Sequence, residues 1–190
     1  MLLETICIHN GAIQNLSLHQ ARLNRSQAAL FDDYEAIDLG RFIHPPSGSG
    51  TLKCRVTYGR ELFDVVFEPY RPRAVRHLKP MEARIDYAHK YSDREALDDL
   101  FAQRGEADDI LILRNGYVTD TSVANIAFLK EGRWYTPRLP LLRGTTRERL
   151  VRSGFLTPRD IRIEEVDQFE AFALLNAMIG FLPVKNGRIG

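Results

Sequence analysis

The stretch LPLLRGTTRER, residues 139–149, puts a leucine pair, an Arg-Gly step and two threonines at what reads as the start of a helix. Gly144 lets the backbone turn sharply, and Thr145 with Glu148 fits the S/T-x-x-E capping box. The first N–H groups of such a helix have no intrahelical acceptor, and the positive end of the helix dipole stands behind them. With two hydroxyls beside them they form an anion cradle, for which phosphate is the natural guest. Taken alone, the segment also reads as an ordinary capped surface helix. Just upstream lie Thr136-Pro137 and the strand-like run VTDTSVANIAFL, residues 118–129, which brings Asp120 and Asn125 to turns or strand ends near the cradle.

Working outward, the chain has 190 residues, 44% of them apolar and 27% charged. A globular chain of this size buries about 70% of its unfolded surface in one large or two small domains. A net charge of +1 provides no field for nucleic acid or an anionic membrane. No run of apolar residues is long enough to span a bilayer, and the N-terminus lacks the basic-then-apolar pattern of an export signal. The two cysteines, Cys7 and Cys54, sit in apolar strand-like runs without metal or redox spacing, as expected of reduced core thiols in a cytoplasmic protein.

Toward the N-terminus, LLETICIH reads as a strand, and Asn10-Gly11 as a tight turn into a second short strand. A helix follows, capped by Ser17, with Leu18, Ala21, Leu23, Ala28, Ala29 and Leu30 on its apolar side. A short helix over 36–43 ends at His44-Pro45-Pro46, and TLKCRVTY with ELFDVVFEPY forms a hairpin around Gly59-Arg60. EPYRPRAVRHLKP, residues 68–80, is rich in proline and charge. It reads as the connector between a small N-terminal domain, 1–75, and a larger C-terminal domain, 76–190. Beyond it, Ser92 and Glu95 make a second capping-box match. DDILILR, YVTDTSV and NIAFLKEGRWYTP follow as strands and hairpins, and the cradle helix ends at Gly154. IRIEEV, residues 161–166, is expected as a strand, and AFALLNAMIGFLPV closes the chain. Hairpins interspersed with few helices predict an α+β fold rather than a doubly wound parallel sheet.

In this order the pieces resemble the class IV aminotransferases, the fold type IV pyridoxal-phosphate enzymes that include branched-chain and D-amino-acid aminotransferases and aminodeoxychorismate lyase. The resemblance rests on Glu4-Thr5, the H-x-x-R-L run from His19 to Leu23, Lys90, the V-T-acid to N-x-x-F stretch over 118–128, Thr136-Pro137, L-x-G-x-x-R over 142–147, and the closing run over 176–184. It covers nearly the whole chain. It implies a two-domain fold with a reduced N-terminal domain, pyridoxal 5'-phosphate as cofactor, a small amino-acid-like substrate, and a homodimer with its site between domains.

The resemblance also implies roles. Lys90, in YAHKYSDR, matches the lysine that carries the cofactor as a Schiff base and later shuttles the α-proton. Lys53, Lys79, Lys130 and Lys185 are the alternatives, and none has that context. Asp120 stands where the family normally has a glutamate facing the pyridine nitrogen, so the acid here is one methylene shorter. Arg22 resembles the arginine that reaches the cofactor phosphate, joined by Thr145 and Thr146. Asn125 is expected to hold backbone near the cofactor. Asn176-Ala177 occupies the place where transaminases often carry threonine, and it is closer to aminodeoxychorismate lyase. His19 reads as structural. Arg55, Arg60, Arg138 and Arg143 are candidates for a substrate carboxylate. Transamination and lyase-type elimination both remain open. The short lead-in before the ET strand and the Asp120 substitution also raise a relative that binds cofactor or metabolite without turnover.

Overall fold

The computed structural model describes residues 1–190, and chain contacts divide it into two units. The first comprises residues 1–72 with 89–93; the second comprises 73–88 and 94–190. Lys90, expected in the C-terminal part, therefore packs with the first unit.

The first unit is a four-stranded antiparallel sheet of order β2-β1-β3-β4, formed by β1 (Leu2–His9), β2 (Ala12–Ile13), β3 (Thr51–Tyr58) and β4 (Leu62–Pro69). The turn between β1 and β2 has Asn10 and Gly11 both at positive φ, 48° and 77°, the pairing that suits a two-residue hairpin. On one sheet face Leu2, Ile6, Ile8, Cys54, Val56 and Tyr58 form a core with Leu23 of helix α1 (Leu16–Leu30) and Leu39 of the short helix α2 (Leu39–Phe42). Both cysteines are buried and free, and burial pushes both thiols up.

Helix α1 departs from the expected pattern. Its buried side is His19, Arg22, Leu23, Ser26 and Gln27, while Ala28, Ala29 and Leu30 are exposed. The reason is Glu4, fully buried on β1, which draws polar partners from the helix. Gln27, itself buried, donates through Nε2 to the carbonyls of Glu35 and Gly59 and so ties the helix to two loops. Nor does Ser17 cap α1: the cap position is Asn15, in the left-handed region with no side-chain bond.

The second unit is built on one nine-stranded sheet. Its strands are β5 (His77–Glu82), β6 (Asp109–Arg114), β7 (Tyr117–Thr121), β8 (Asn125–Lys130), β9 (Arg133–Pro137), β10 (Leu156–Arg159), β11 (Ala171–Asn176), β12 (Gly180–Val184) and β13 (Arg188–Ile189). Helix α3 (Glu95–Ala102) precedes β6, and α4 (Thr145–Arg152) precedes β10. The pairings are antiparallel except β5 with β6, β5 with β13, and β9 with β10. Hairpins thus dominate, and the α+β expectation holds. Part of the expected 68–80 connector is strand β5.

Three local expectations fail. IRIEEV is not a strand; Ile163–Gln168 is a 3-10 helix whose Glu165 accepts from Arg162 N at 2.9 Å and from Arg159 Nη2 at 2.7 Å. Three-residue periodicity sets Ile163 and Val166 on one side, so an alternating apolar pattern served a tight helix instead. Ser92 caps nothing: its backbone N–H and hydroxyl both donate to Met1 O, and α3 starts after Arg94. The Thr145/Glu148 capping box is likewise absent. Gly144 is the cap residue of α4, so Thr145 is already inside the helix, and Glu148 pairs with Arg152.

Candidate active site

In the second unit, β7 ends and β8 begins with Asp120 directly opposite Asn125. Both are buried, 4% and 6% exposed. Asn125 Nδ2 donates to Asp120 Oδ1 at 2.7 Å and to Leu142 O at 2.8 Å, while Leu142 N donates to Asp120 Oδ2 at 2.8 Å. Two side chains and the backbone N–H and carbonyl of Leu142 thus tie the strand ends to the loop that leads into α4. Gly144 closes the arrangement. A Cβ there would lie 2.1 Å from Asn125 Oδ1, so only glycine lets the loop pack against the carboxamide.

Burial pushes the Asp120 carboxyl up to about 7, against the pull of its hydrogen bonds from Asn125 and Leu142 and the charge of Arg147. Asp120 makes no ion pair, so it is a buried acid short of positive charge. Thr145 and Thr146, 3% and 5% exposed, occupy the first turn of α4. In the same turn, buried Arg147 donates through Nη2 to Pro137 O at 2.7 Å, while its Nε has no partner. Thr136 of the same Thr-Pro pair donates to Ile126 O at 2.8 Å. The scattered motifs over 118–128, 136–137 and 142–147 are therefore one hydrogen-bonded cluster.

Asn176 and Ala177 lie at the β11–β12 turn. Asn176 Oδ1 accepts from the N–H groups of Met178 and Ile179, at 2.9 and 3.0 Å, and its Nδ2 donates to Val123 O at 3.3 Å. The carboxamide shapes this turn and ties it to the β7–β8 turn.

The first unit holds Arg22 and Lys90. Glu4 Oε1 accepts from Arg22 Nε at 2.8 Å, and Glu4 Oε2 is 2.5 Å from Arg22 Nη2 and 2.6 Å from His19 Nδ1. Burial alone would raise this carboxyl, but the Arg22 charge and the hydrogen bonds from His19 and Arg22 outweigh it and hold it at about 2. Sequence reading named Glu4 only as part of a motif; its clamp on Arg22 was signalled by the acid and the H-x-x-R pair lying on neighbouring elements. Lys90 is fixed by its backbone: Lys90 O accepts from Leu3 N at 2.8 Å, and Tyr91 bridges Leu2 antiparallel, so residues 89–93 lie along the free edge of β1.

The family model for amino-transferase class IV matches residues 1–186. The chain belongs to the class IV aminotransferases. An uncharacterised protein of Haemophilus influenzae is 38% identical over 188 residues, 94% of this chain and 98% of that protein. A crystal structure from Haemophilus somnus 129PT, provisionally described as a 4-amino-4-deoxychorismate lyase, is 35% identical with a TM-score of 0.87, covering 94% of this chain and 96% of that one. A hypothetical aminotransferase from Mycobacterium tuberculosis in its pyridoxal-phosphate-bound form shares the fold at 18% identity and a TM-score of 0.77, covering 96% of this chain and 79% of that one. The class IV family consists of pyridoxal-phosphate enzymes, and the short chain length is shared with the two Haemophilus relatives.

The residues present suit that cofactor. A buried acid short of positive charge matches a protonated ring nitrogen. The first turn of α4, whose leading N–H groups have no intrahelical acceptor, carries the unpartnered Arg147 Nε and matches a phosphate.

Proposed function

We propose that the protein is a pyridoxal-phosphate enzyme that removes the α-proton from a small amine bearing a carboxylate. The observation that carries this reading is the Asp120–Asn125–Leu142–Gly144 cluster, which keeps an acid buried beside the loop that leads into α4. Lys90 would hold the cofactor covalently through Nζ and, once displaced by the substrate amine, accept the α-proton on that same nitrogen. Asp120 would keep a proton on the ring nitrogen, and Asn125 and Leu142 N would hold its carboxylate in orientation. Thr145 and Thr146 would receive the phosphate at the start of α4. Arg22 would face it only with donor capacity that Glu4 leaves over. Bound there, pyridoxal phosphate supplies the electron sink for charge left at the α-carbon.

Two outcomes follow from proton removal: transfer of the amino group, or elimination of pyruvate to leave an aromatic amine. Asn176-Ala177 and the 35% identical Haemophilus somnus relative, with its lyase description, favour elimination. The test is to load the protein with pyridoxal phosphate, reduce with borohydride and map the tryptic peptides. The label is expected on Lys90, and a label on Lys53, Lys79, Lys130 or Lys185 instead would overturn the assignment. Aminodeoxychorismate is then expected to yield pyruvate and aminobenzoate; amino-group transfer to a keto acid without pyruvate release would assign a transaminase.

A further inference from the structure

Lys90 is the middle residue of a tight turn that two elements of the first unit hold. Tyr91 N donates to His89 O at 3.0 Å, which closes three residues about Lys90. Strand β1 holds the turn by backbone: Leu3 N donates to Lys90 O at 2.8 Å, Tyr91 bridges Leu2, and Ser92 N donates to Met1 O at 3.1 Å. Helix α1 holds it by a side chain. His89 Nδ1 lies 3.2 Å from Ser26 Oγ, in hydrogen-bond contact. Ser26 is 3% exposed and shares a further side-chain hydrogen bond with buried Tyr58, so its hydroxyl is itself fixed. The His89 ring also meets the Tyr91 ring edge-on, 6.1 Å between centroids, and Tyr91 packs against the apolar core under α1.

The β1 bonds reach Lys90 O and the residues after it, whereas the Ser26 bond holds the residue before it. That entry point matters because the chain changes company there. Residues 73–88 belong to the second unit and 89–93 to the first, so His89 opens the segment that carries Lys90. Lysine is a flexible four-carbon stem, and where its amine reaches is set by where the backbone holds its Cα. A turn held on one side pivots about those bonds; a turn held on both sides keeps its middle residue in place.

We propose that His89 is a positioning residue for Lys90, its hydrogen bond to Ser26 fixing the turn from which Nζ reaches the carbonyl carbon of the cofactor. In that step neutral Nζ gives both its hydrogens to the carbonyl oxygen, which leaves as water, and a C=N bond replaces the C=O bond. The inference rests on Lys90 being the cofactor lysine.

The experiment compares the full-length parent with His89→Phe, Ser26→Ala, their double variant and His89→Asn. Phenylalanine keeps a ring against Tyr91 but removes Nδ1, whereas asparagine keeps a donor or acceptor where Nδ1 stands. The parent is first loaded with pyridoxal phosphate, reduced with borohydride and mapped. Affinities of the cofactor-free proteins are then measured for pyridoxal phosphate and for pyridoxamine phosphate, which has the same ring and phosphate but no carbonyl for Lys90. His89→Phe and Ser26→Ala are each expected to weaken pyridoxal phosphate roughly 2- to 10-fold, the range of one hydrogen bond, with pyridoxamine phosphate at its parental affinity. The double variant should lose no more than either single one, and His89→Asn should keep the parental ratio of the two affinities. An unchanged ratio in the single variants overturns the proposal. So does an equal loss of both cofactor forms, which marks a merely structural residue, and so does His89→Asn behaving as His89→Phe. If one single variant does not fold, the ratio in the other decides. A borohydride label absent from Lys90 sinks the functional reading and this inference with it, whereas a label on Lys90 with an unchanged ratio sinks the inference alone.

Discussion

Replacing Arg22 with alanine separates a structural from a cofactor role for that residue. Glu4 is fully buried, and its two oxygens meet Arg22 Nε at 2.8 Å, Arg22 Nη2 at 2.5 Å and His19 Nδ1 at 2.6 Å. A carboxyl brought from 4.5 down to about 2 contributes about 3 kcal/mol to folding. Removing one partner of a buried pair costs about 3–5 kcal/mol, because the remaining charge is stranded. Arg22→Ala is therefore expected to lose about that much, read from urea denaturation by far-UV circular dichroism, which reports helix α1. The sign with pH follows from the depressed acid. Its contribution is present above 4.5 and is lost as pH falls through 4.5 toward about 2. The penalty should accordingly be full near pH 7 and shrink near pH 3, where the stranded Glu4 of the variant takes up a proton. Adding Glu4→Gln to Arg22→Ala should recover part of the loss near pH 7. An unchanged midpoint near pH 7, or an equal penalty at both pH values, would refute the clamp. Weakened cofactor binding by an apo-protein of parental stability would instead assign Arg22 wholly to the phosphate.

Gly144→Ala sets a Cβ 2.1 Å from Asn125 Oδ1, so the carboxamide must move and release Asp120 and Leu142. A loss on the order of 1–3 kcal/mol is expected, together with weaker pyridoxal-phosphate binding; parental values in both denaturation and cofactor titration would show that the loop yields freely. Asp120, pushed from 3.8 up to about 7 mainly by burial, binds its proton more tightly folded than unfolded, so the cofactor-free protein should lose stability as pH rises from 3.8 through 7. The full effect is about 4 kcal/mol, and in Asp120→Asn that slope should flatten; an identical pH profile in parent and variant would contradict it.

Much of the molecule was legible in the chain. Asn10-Gly11 and Asn115-Gly116 predict two-residue turns because such turns need positive φ at both positions, and the structure shows it at both. TLKCRVTY, DDILILR and NIAFLK announce strands by local composition, and the order of motifs announces the family. The failures share a cause. IRIEEV alternates as a strand would, but the side-chain bonds of Glu165 close a 3-10 turn. Thr145 and Ser92 fit a capping pattern, but which residue caps depends on where the incoming chain is held: Ser92 by Met1, Gly144 by Asn125.

What the sequence determined alone were features that need only neighbours along the chain: turn type, strand propensity, the inventory of Lys90, Asp120, Asn125 and the Gly144-Thr145-Thr146 step. Tertiary structure decided what those groups are worth. Glu4 and Asp120 are both buried acids, yet one is held at about 2 and the other at about 7. The difference is that Arg22 and His19 reach Glu4 from the facing helix, whereas Asp120 receives a carboxamide and a backbone N–H but no ion pair. Charge compensation inside a protein depends on distances across the fold, and residue spacing along a chain does not encode them.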